Sequence, residues 1–190
     1  MIVVGLIGED PYDTDAIQNL LRKKYNAQAR FVSISKRVRG GQLDSDKFFR
    51  ILKVESKKCH MVLCIRDLDG FSSQEHLVQA RKDWFDNVCQ NVSCSSVLLL
   101  NIWELEAFLL GDIDSFNRFY KSNLSYMGNP SAQPNPKEWL KSRTKKLKKS
   151  YKESDCPELF ASLDYDRVFN RCNFFSTFIT VFEQKIKECA

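Results

Sequence analysis

The sequence predicts an α/β fold in which a mostly parallel four-stranded sheet is flanked by helices. Four short apolar segments at residues 2–7, 29–34, 60–65 and 96–102 predict the strands. Amphipathic segments alternate with them, and strands that alternate with helices usually pair in parallel. The segment at 60–65 is continuously apolar, as expected for a strand that is covered on both faces.

Helices are predicted between and after these strands. Residues 14–25 and 45–57 place apolar side chains three and four positions apart, which is typical of a helix with one buried face. Ser72 followed by Glu75 is a capping-box pattern and predicts the start of a third helix. Residues 104–111 predict a fourth helix that leaves the last strand.

The chain changes character after Gly111, and we therefore divide it into an α/β domain at 1–112 and a helical C-terminal extension at 113–190. Residues 126–136 hold three of the five prolines and predict a loop. A basic helix follows, and the aromatic stretch from Tyr165 predicts a final helix of 20 or more residues. We expect this extension to depend on the α/β domain for folding.

Composition excludes several classes of protein. Of the 190 residues, 43% are hydrophobic and 28% charged, as in ordinary globular domains, and no segment is apolar for long enough to span a membrane. The N-terminus lacks the pattern of a signal peptide, so we expect a cytoplasmic protein. Seven cysteines and two histidines lack zinc-ligand spacing, which favours reduced, mostly buried thiols.

Acidic residues follow three of the four predicted strands. Glu9 follows the first, Asp67 and Asp69 follow the third, and Glu104 and Glu106 follow the fourth. The carboxyl ends of parallel strands lie at one edge of the sheet, so these carboxylates are expected to meet. Grouped carboxylates repel one another unless a cation neutralises them, and oxygen ligands suit Mg²⁺ or Mn²⁺. The pattern predicts a divalent-metal site.

Each acid also has a structural interpretation. Asp13 or Thr14 would cap the first helix, Asp69 with Gly70 would form a turn, and Glu104 would stabilise a helix N-terminus. The coincidence at three strand ends favours the functional interpretation. On a helix, Glu104 and Glu106 would project about 200° apart, so only one of them is expected in the site. We expect Glu104, which is nearer the strand, with Glu106 supporting it.

Basic residues are concentrated in one segment, residues 137–152, which contains eight Lys or Arg and one Glu. Such a run either attracts phosphate backbones or is a solvated helix face. The residues predicted to bind nucleic acid are Arg37, Arg39, Lys141, Arg143, Lys145, Lys146, Lys148 and Lys149.

Three motifs carry a resemblance to known proteins. Gly8-Glu9 with Asp13 four residues on, and then Asp67-Leu68-Asp69-Gly70, resemble the Toprim motif of topoisomerases, primases and OLD-family nucleases. Residues 103–112 (WELEAFLLGD) look like the signature of small stand-alone Toprim-like proteins of the DUF4276 and RloB type. The tail, from Tyr151-Lys152 to 164–175, is similar to that group's C-terminal pattern. The Gly8-Glu9 pair departs from the usual Toprim pattern, in which the glutamate precedes the glycine.

The resemblance implies a Toprim-like fold and a metal-dependent nuclease. Glu9, Asp67 and Asp69 would be the metal-site acids, with Asp13 and one of Glu104 and Glu106 completing the site. Lys152 would be the basic residue near the scissile phosphate.

Further implications concern partners. Related proteins work with an ABC- or SMC-type ATPase in bacterial defence against phage, and this sequence has no P-loop of its own. The alternative is a non-catalytic Toprim-like docking or regulatory subunit of such a complex. A receiver-like signalling domain is disfavoured, because the acid pair follows the third strand and not the first. Oligomeric state stays open.

Overall fold

The structure is a computed structural model that describes residues 1–34 and 40–189. Its strands form one sheet in the order β2-β1-β3-β4, and all neighbouring strands are parallel. The predicted four-stranded parallel sheet is therefore confirmed. The strands are β1 (Ile2–Ile7), β2 (Ala29–Ser33), β3 (Met61–Asp67) and β4 (Ser95–Asn101).

Within the residues that the structure describes, three α-helices connect these strands, and the other α-helices follow β4. The connecting helices are α1 (Pro11–Tyr25), α2 (Asp46–Glu55) and α3 (Glu75–Asn91). The later helices are α4 (Ala107–Gly111), α5 (Ile113–Tyr120), α6 (Pro136–Thr144), α7 (Cys156–Ser162), α8 (Tyr165–Arg171) and α9 (Asn173–Cys189).

Helices cover both faces of the sheet. On one face, α2 and α3 bury Phe48 and Trp84 against Val62 and Cys64 of β3. On the other face, α1 packs together with the helices that follow β4, and the ring of Phe182 on α9 stacks on that of Phe31 on β2. The C-terminal helices thus form part of one layer of the same fold, since their buried residues share a core with α1 and with side chains of all four strands.

The strand order places a topological switch point between β1 and β3. The chain leaves β1 towards β2 on one side, and leaves β3 towards β4 on the other. The helices that follow these two strands, α1 and α3, pack on opposite faces of the sheet. In sheets of this type a crevice opens at the carboxyl ends of the two central strands, and ligands bind there. Asp67 at the end of β3 and the residues that follow Ile7 line this crevice.

Several predicted helix boundaries are corrected. Helix α1 begins at Pro11 and not at Thr14, because Asp10 and Asp13 form a capping box and proline suits the first helical turn. Ser72 does not cap α3, which begins at Glu75 without a side-chain cap. Helix α4 begins only at Ala107, so the geometry assumed for Glu104 and Glu106 on a regular helix was wrong.

The predicted long C-terminal helix is divided in two at Cys172. This residue leaves the helical region, with φ −107° and ψ 90°, while its amide donates to the carbonyl oxygen of Val168 and closes α8. The buried Cys172 side chain lies beside Gly111 at the end of α4. The break therefore separates α8 from α9, and both helices bury side chains in the same core.

The seven cysteines are free thiols, of which Cys64, Cys156 and Cys172 are buried and Cys89 is exposed. The expectation of mostly buried thiols was too broad, since Cys59, Cys94 and Cys189 are only partly buried. Among the described helices, none has the length and apolar character needed to cross a membrane.

Packing between Gly111 and Cys172 is tight enough to predict a specific stability effect. A Cβ at Gly111 would lie 2.7 Å from the Cys172 sulphur, so we expect Gly111→Ala to lower the free energy of unfolding by about 1–3 kcal/mol. In a Cys172→Ala background the same substitution should cost less, because the sulphur is gone. Chemical denaturation of the four proteins of this cycle measures the difference.

The matched control is Gly41→Ala, where an added Cβ would meet no atom within 4 Å and the change should stay within about 0.5 kcal/mol. Equal costs of Gly111→Ala in both backgrounds would show that Cys172 does not set the packing at this position.

Candidate active site at the carboxyl edge of the sheet

The turn after β1 fixes two acidic residues. Asp10 caps α1 by accepting a hydrogen bond from the amide of Tyr12 at 2.9 Å, and Asp13 accepts from the amide of Asp10 at 3.0 Å. Gly8 precedes this turn, and a Cβ there would lie 2.8 Å from a methyl carbon of Thr14. The close return of the chain holds Asp13 beside the end of β1.

Glu9 is held by an ion pair with the neighbouring strand. Its Oε1 lies 2.7 Å from Nε of Arg66, which is buried on β3, although the angle does not suit a hydrogen bond. The Arg66 guanidinium lies 4.5 Å from the ring centroid of Trp84. Because Arg66 is held by its contact with Trp84, it also holds the Glu9 carboxylate in position.

The loops after β3 and β4 hold each other in an unusual backbone conformation. Asp69 and Trp103 both have positive φ angles, of 57° and 60°. Their backbones are paired: the Asp69 amide donates to the Trp103 carbonyl oxygen at 2.9 Å, and the Trp103 amide donates to the Gly70 carbonyl oxygen at 3.0 Å. Left-handed non-glycine residues cost about 1–3 kcal/mol each and cluster at functional sites.

This edge of the sheet contains a cavity of about 350 Å³. Carboxylates from several segments of the chain line it, together with one lysine, one tyrosine and one cysteine. The lining residues are Glu9, Asp10, Tyr12, Asp13, Asp67, Glu106, Lys137, Glu153 and Cys156. A larger cavity of about 550 Å³ lies between α2 and α3, but its two acids, Asp44 and Asp46, are accompanied by Arg50 and Lys53. The acidic cavity at the strand ends is therefore the candidate site.

Three of its carboxyl groups have raised pKa values. Withdrawal from water raises the pKa of Asp67 well above its usual range, and Asp13 and Glu106 raise it further. The same desolvation, with added repulsion from Glu106, raises the pKa of Asp13 to about 7, although its hydrogen bond with the Asp10 backbone opposes this. Burial raises the pKa of Glu106 as well. The three groups resist simultaneous ionisation.

Hydrogen bonds set the orientation of these groups. Nδ2 of Asn101, which is fully buried at the end of β4, donates to Oδ1 of Asp67 at 2.8 Å. The Tyr151 hydroxyl donates to Oε1 of Glu106 at 2.6 Å and lies 3.1 Å from the sulphur of Cys156. Asn101 and Tyr151 were not predicted as site residues. A polar residue at the buried end of a strand was the available signal for Asn101.

Glu106 and not Glu104 lines the cavity, in contrast to our preference from the sequence. Glu104 instead accepts a hydrogen bond from the Lys137 amide at 3.2 Å and lies 3.4 Å from its ammonium group. The difference arises because residues 104–106 form a turn before α4 and not the first turn of a helix. Glu104 thus acts on the cavity through Lys137.

Lys137 is the cationic group of the cavity, a position for which the sequence suggested Lys152. Burial lowers the pKa of Lys137, but Glu106, Glu104, Glu153 and Asp67 together raise it above its usual value. Lys152 is exposed and does not line the cavity. The sequence did contain an indication that Lys137 lies in an acidic site. A lysine in the first turn of a helix interacts unfavourably with the helix dipole, and acidic neighbours are needed to offset this.

Asp69 also lies outside the cavity lining. Its side chain is 61% exposed, and its Oδ2 is paired with Nη2 of Arg81 on α3 at 2.8 Å. The structure therefore brings Glu9, Asp13, Asp67 and Glu106 together and leaves Asp69 on the outer side of the loop. The left-handed backbone at Asp69 accounts for this outward direction.

The basic segment at 137–152 is divided between internal and exposed roles. Lys141 pairs with Glu138 and Glu153, and Lys149 pairs with Asp155 while lying 4.1 Å from the ring centroid of Phe119. Six cationic residues of the segment are exposed, namely Arg143, Lys145, Lys146, Lys148, Lys149 and Lys152. Arg37 and Arg39, also predicted to bind phosphate, lie outside the described residues.

The chemistry of the cavity suits a hard divalent ion, which prefers carboxylate oxygens. Within residues 1–34 and 40–189, no three carboxylate, thiol or imidazole groups are already gathered closely enough to hold a metal ion. Asp13, Asp67 and Glu106 nevertheless line one cavity, and repulsion among them contributes to their raised pKa values. Binding an ion would require these side chains to close on it.

Comparison with known proteins places the chain in a family. The model of DUF4276, described as a domain of unknown function, matches residues 9–183, and the chain therefore belongs to this family. No curated protein matches the chain. No solved structure matches it. The match spans both the α/β part and the C-terminal helices.

The raised pKa of Asp13 predicts a pH-dependent stability. In the unfolded chain this group titrates near 4, so folding favours its protonated form, and this contribution is lost as pH rises from about 4 through 7. In EDTA, the wild-type protein should lose stability relative to Asp13→Asn over this window, by at most about 4 kcal/mol. Thermal unfolding at a series of pH values measures the difference.

Asp15→Asn provides the control, because Asp15 is exposed on the same helix and does not line the cavity. Parallel pH profiles for Asp13→Asn and the wild type would rule out the raised pKa.

Proposed function

We propose that this member of the DUF4276 family is a divalent-metal-dependent nuclease that hydrolyses phosphodiester bonds in DNA or RNA. The proposal is supported most directly by one observation: Asp13, Asp67 and Glu106 line a single cavity at the switch point of the sheet and oppose simultaneous ionisation. Such a set is stabilised when a cation binds, and two-metal or one-metal phosphodiester hydrolysis uses carboxylates in this way.

Asp13, Asp67 and Glu106 would hold the ion, with Glu9 beside them. When bound, Mg²⁺ or Mn²⁺ would polarise the phosphate and lower the pKa of a water molecule. Asn101 orients Asp67 and Tyr151 orients Glu106, because each donates a hydrogen bond to one oxygen of the carboxylate. The second oxygen of each carboxylate would then be available to the ion.

Lys137 supplies the positive charge that the chain itself contributes to the cavity. Its ammonium forms ion pairs with Glu104, at 3.4 Å, and with Glu153, at 3.7 Å. It is therefore held in position by two partners and not by one short ion pair. In this position it would bind a non-bridging phosphate oxygen and stabilise the negative charge that develops there.

The reaction requires a water oxygen to bond to phosphorus while the ester bond to the leaving oxygen breaks. One proton leaves the attacking water, and one is taken up by the leaving oxygen. Glu9, which pairs with Arg66 and lines the same cavity, would accept the first proton. Bulk water supplies the second where the cavity opens to solvent.

Two wider expectations remain part of the proposal. An ABC- or SMC-type ATPase partner and a role in anti-phage defence are both proposed from the resemblance to Toprim-like proteins. The ATPase would be a separate chain, since the given sequence contains no P-loop. If the chain binds metal but hydrolyses no nucleic acid, with or without such an ATPase, the non-catalytic docking subunit becomes the better interpretation.

Paired substitutions test the metal site. We expect Asp67→Asn and Glu106→Gln to lower Mn²⁺ affinity by at least about tenfold to a hundredfold, since even changes around metal ligands cost this much. Asp69→Asn and Glu104→Gln remove the same type of group two residues away, outside the cavity lining, and should retain most of the affinity. Isothermal titration calorimetry with Mn²⁺ measures binding.

Cleavage of labelled single-stranded and duplex DNA and RNA, with and without Mn²⁺, measures activity in the same proteins. Activity should follow Mn²⁺ affinity across the four variants. A loss in Asp69→Asn as large as that in Asp67→Asn would contradict the placement of the site within the cavity.

The exposed lysines predict the salt dependence of binding. Replacing Lys145, Lys146 and Lys148 by Ala should weaken nucleic-acid binding irrespective of sequence, and should flatten the log–log slope against salt by about 0.7–0.9 for each phosphate that is no longer neutralised. Lys149 is left unchanged because it pairs with Asp155. Fluorescence anisotropy at several salt concentrations gives the slopes.

A triple variant at Lys23, Lys57 and Lys82 removes the same charge from exposed positions outside the segment. If both triple variants change the slope equally, net charge and not the basic segment determines binding.

A further inference from the structure

Tyr12 is the exposed aromatic side chain of the acidic cavity. Tyr12 is the second residue of α1, and 46% of its surface is exposed to solvent. It lines the cavity together with Asp13 and Asp67. The amide of Tyr12 donates to the Asp10 carboxylate at 2.9 Å, so the backbone that carries the ring is fixed. An exposed ring at the edge of a charged cavity is not explained by core packing.

Asp13, Asp67 and Glu106 are less exposed than this ring. The Glu106 residue is only 3% exposed, and Tyr151, which binds it, is 3% exposed. The cavity is also lined by Lys137 on α6 and by Glu153 and Cys156 near the start of α7. A phosphodiester must therefore enter a recess to reach the acids, and the aromatic ring lies at its entrance.

The dimensions of this recess favour an unpaired strand. Its volume of about 350 Å³ is at the small end of the range, about 300–1,000 Å³, of cavities that enclose one small molecule. A single nucleotide is of that size, whereas a base-paired duplex cannot place one nucleotide in a recess without unpairing it. Bases of single strands are free to stack on exposed aromatic side chains.

We infer that the site takes single-stranded nucleic acid and that the Tyr12 ring stacks on a base next to the phosphate held in the cavity. This inference rests on the proposed nuclease function and names the substrate class for the same site. Stacking tolerates any base, because every base has a π face, so little sequence preference is expected from this contact. Tyr12 is a substrate-binding residue and takes no part in proton transfer.

Binding of a labelled 12-nucleotide single strand and of its duplex tests the inference. Fluorescence anisotropy is measured in Ca²⁺, with the integrity of the strand checked on a gel. Tyr12→Ala should weaken single-strand binding about 5-fold to 150-fold, the equivalent of 1–3 kcal/mol for one stacked base, while duplex binding changes little. Tyr12→Phe keeps the ring and should restore single-strand affinity.

Val54→Ala is the control for loss of an exposed apolar side chain, since Val54 is 58% exposed on α2. It should leave both affinities unchanged. The inference is overturned if the wild type shows no preference for the single strand, if Tyr12→Ala weakens both forms equally, or if Tyr12→Phe loses as much as Tyr12→Ala.

Cleavage assays on the same variants separate this inference from the proposed function. Metal-dependent cleavage that Tyr12→Ala leaves unchanged on single strands would support the nuclease and overturn the stacking role. Tyr12-dependent binding of single strands without cleavage under any metal would overturn the nuclease and support a single-strand-binding site.

Discussion

Repulsion among Asp13, Asp67 and Glu106 is the constraint around which the carboxyl edge of the sheet is organised. Each group is withdrawn from water, and Glu106 raises the pKa of both aspartates, so the fold maintains the three acids against an electrostatic cost. That cost is offset by hydrogen bonds from the Asp10 backbone, from Asn101 and from Tyr151. Apolar residues of similar volume would fill the same space without this electrostatic cost.

The C-terminal helices are required for this arrangement, because they complete the cavity. Tyr151 and Lys137, which contact Glu106 and Glu104, both come from the chain after β4, and Cys156 closes the wall at the start of α7. Helix α7 also packs along α1, and the Asn19 side chain donates to the Pro157 carbonyl oxygen at 2.8 Å. The same contacts that bury α1 therefore position the wall of the cavity, which links stability of the extension to geometry of the site.

Much of the fold could be predicted because its signals are local. Apolar β-branched segments and alternating amphipathic segments indicated the four strands, and parallel order then placed Glu9 and Asp67 at one edge. The direction of individual side chains could not be predicted, since it depends on backbone conformation after the strand ends. Asp69 turns outward because the loop adopts a left-handed conformation that is stabilised by Trp103, and no spacing rule indicates that pairing. Contacts such as Tyr151 with Glu106 join residues 45 positions apart and need the tertiary structure.

Several local conflicts with ordinary stability rules lie at this edge, and left-handed backbone also occurs elsewhere, at Lys121 and Asn135. Lys137 lies in the first turn of α6, where the helix dipole disfavours a cation, and Asp69 and Trp103 adopt left-handed backbone conformations. Each conflict is compensated by a partner from another segment: Glu104 and Glu153 for the lysine, and the paired loop backbones for the two left-handed residues. Sequences usually agree with their folds at every level, and they depart from this agreement where function requires it. Of these departures, Lys137 lies among the carboxylates of the cavity, whereas Asp69 and Trp103 lie outside its lining, in the loops next to Asp67 and Glu106. The lysine is therefore the departure that bears directly on the chemistry of the site.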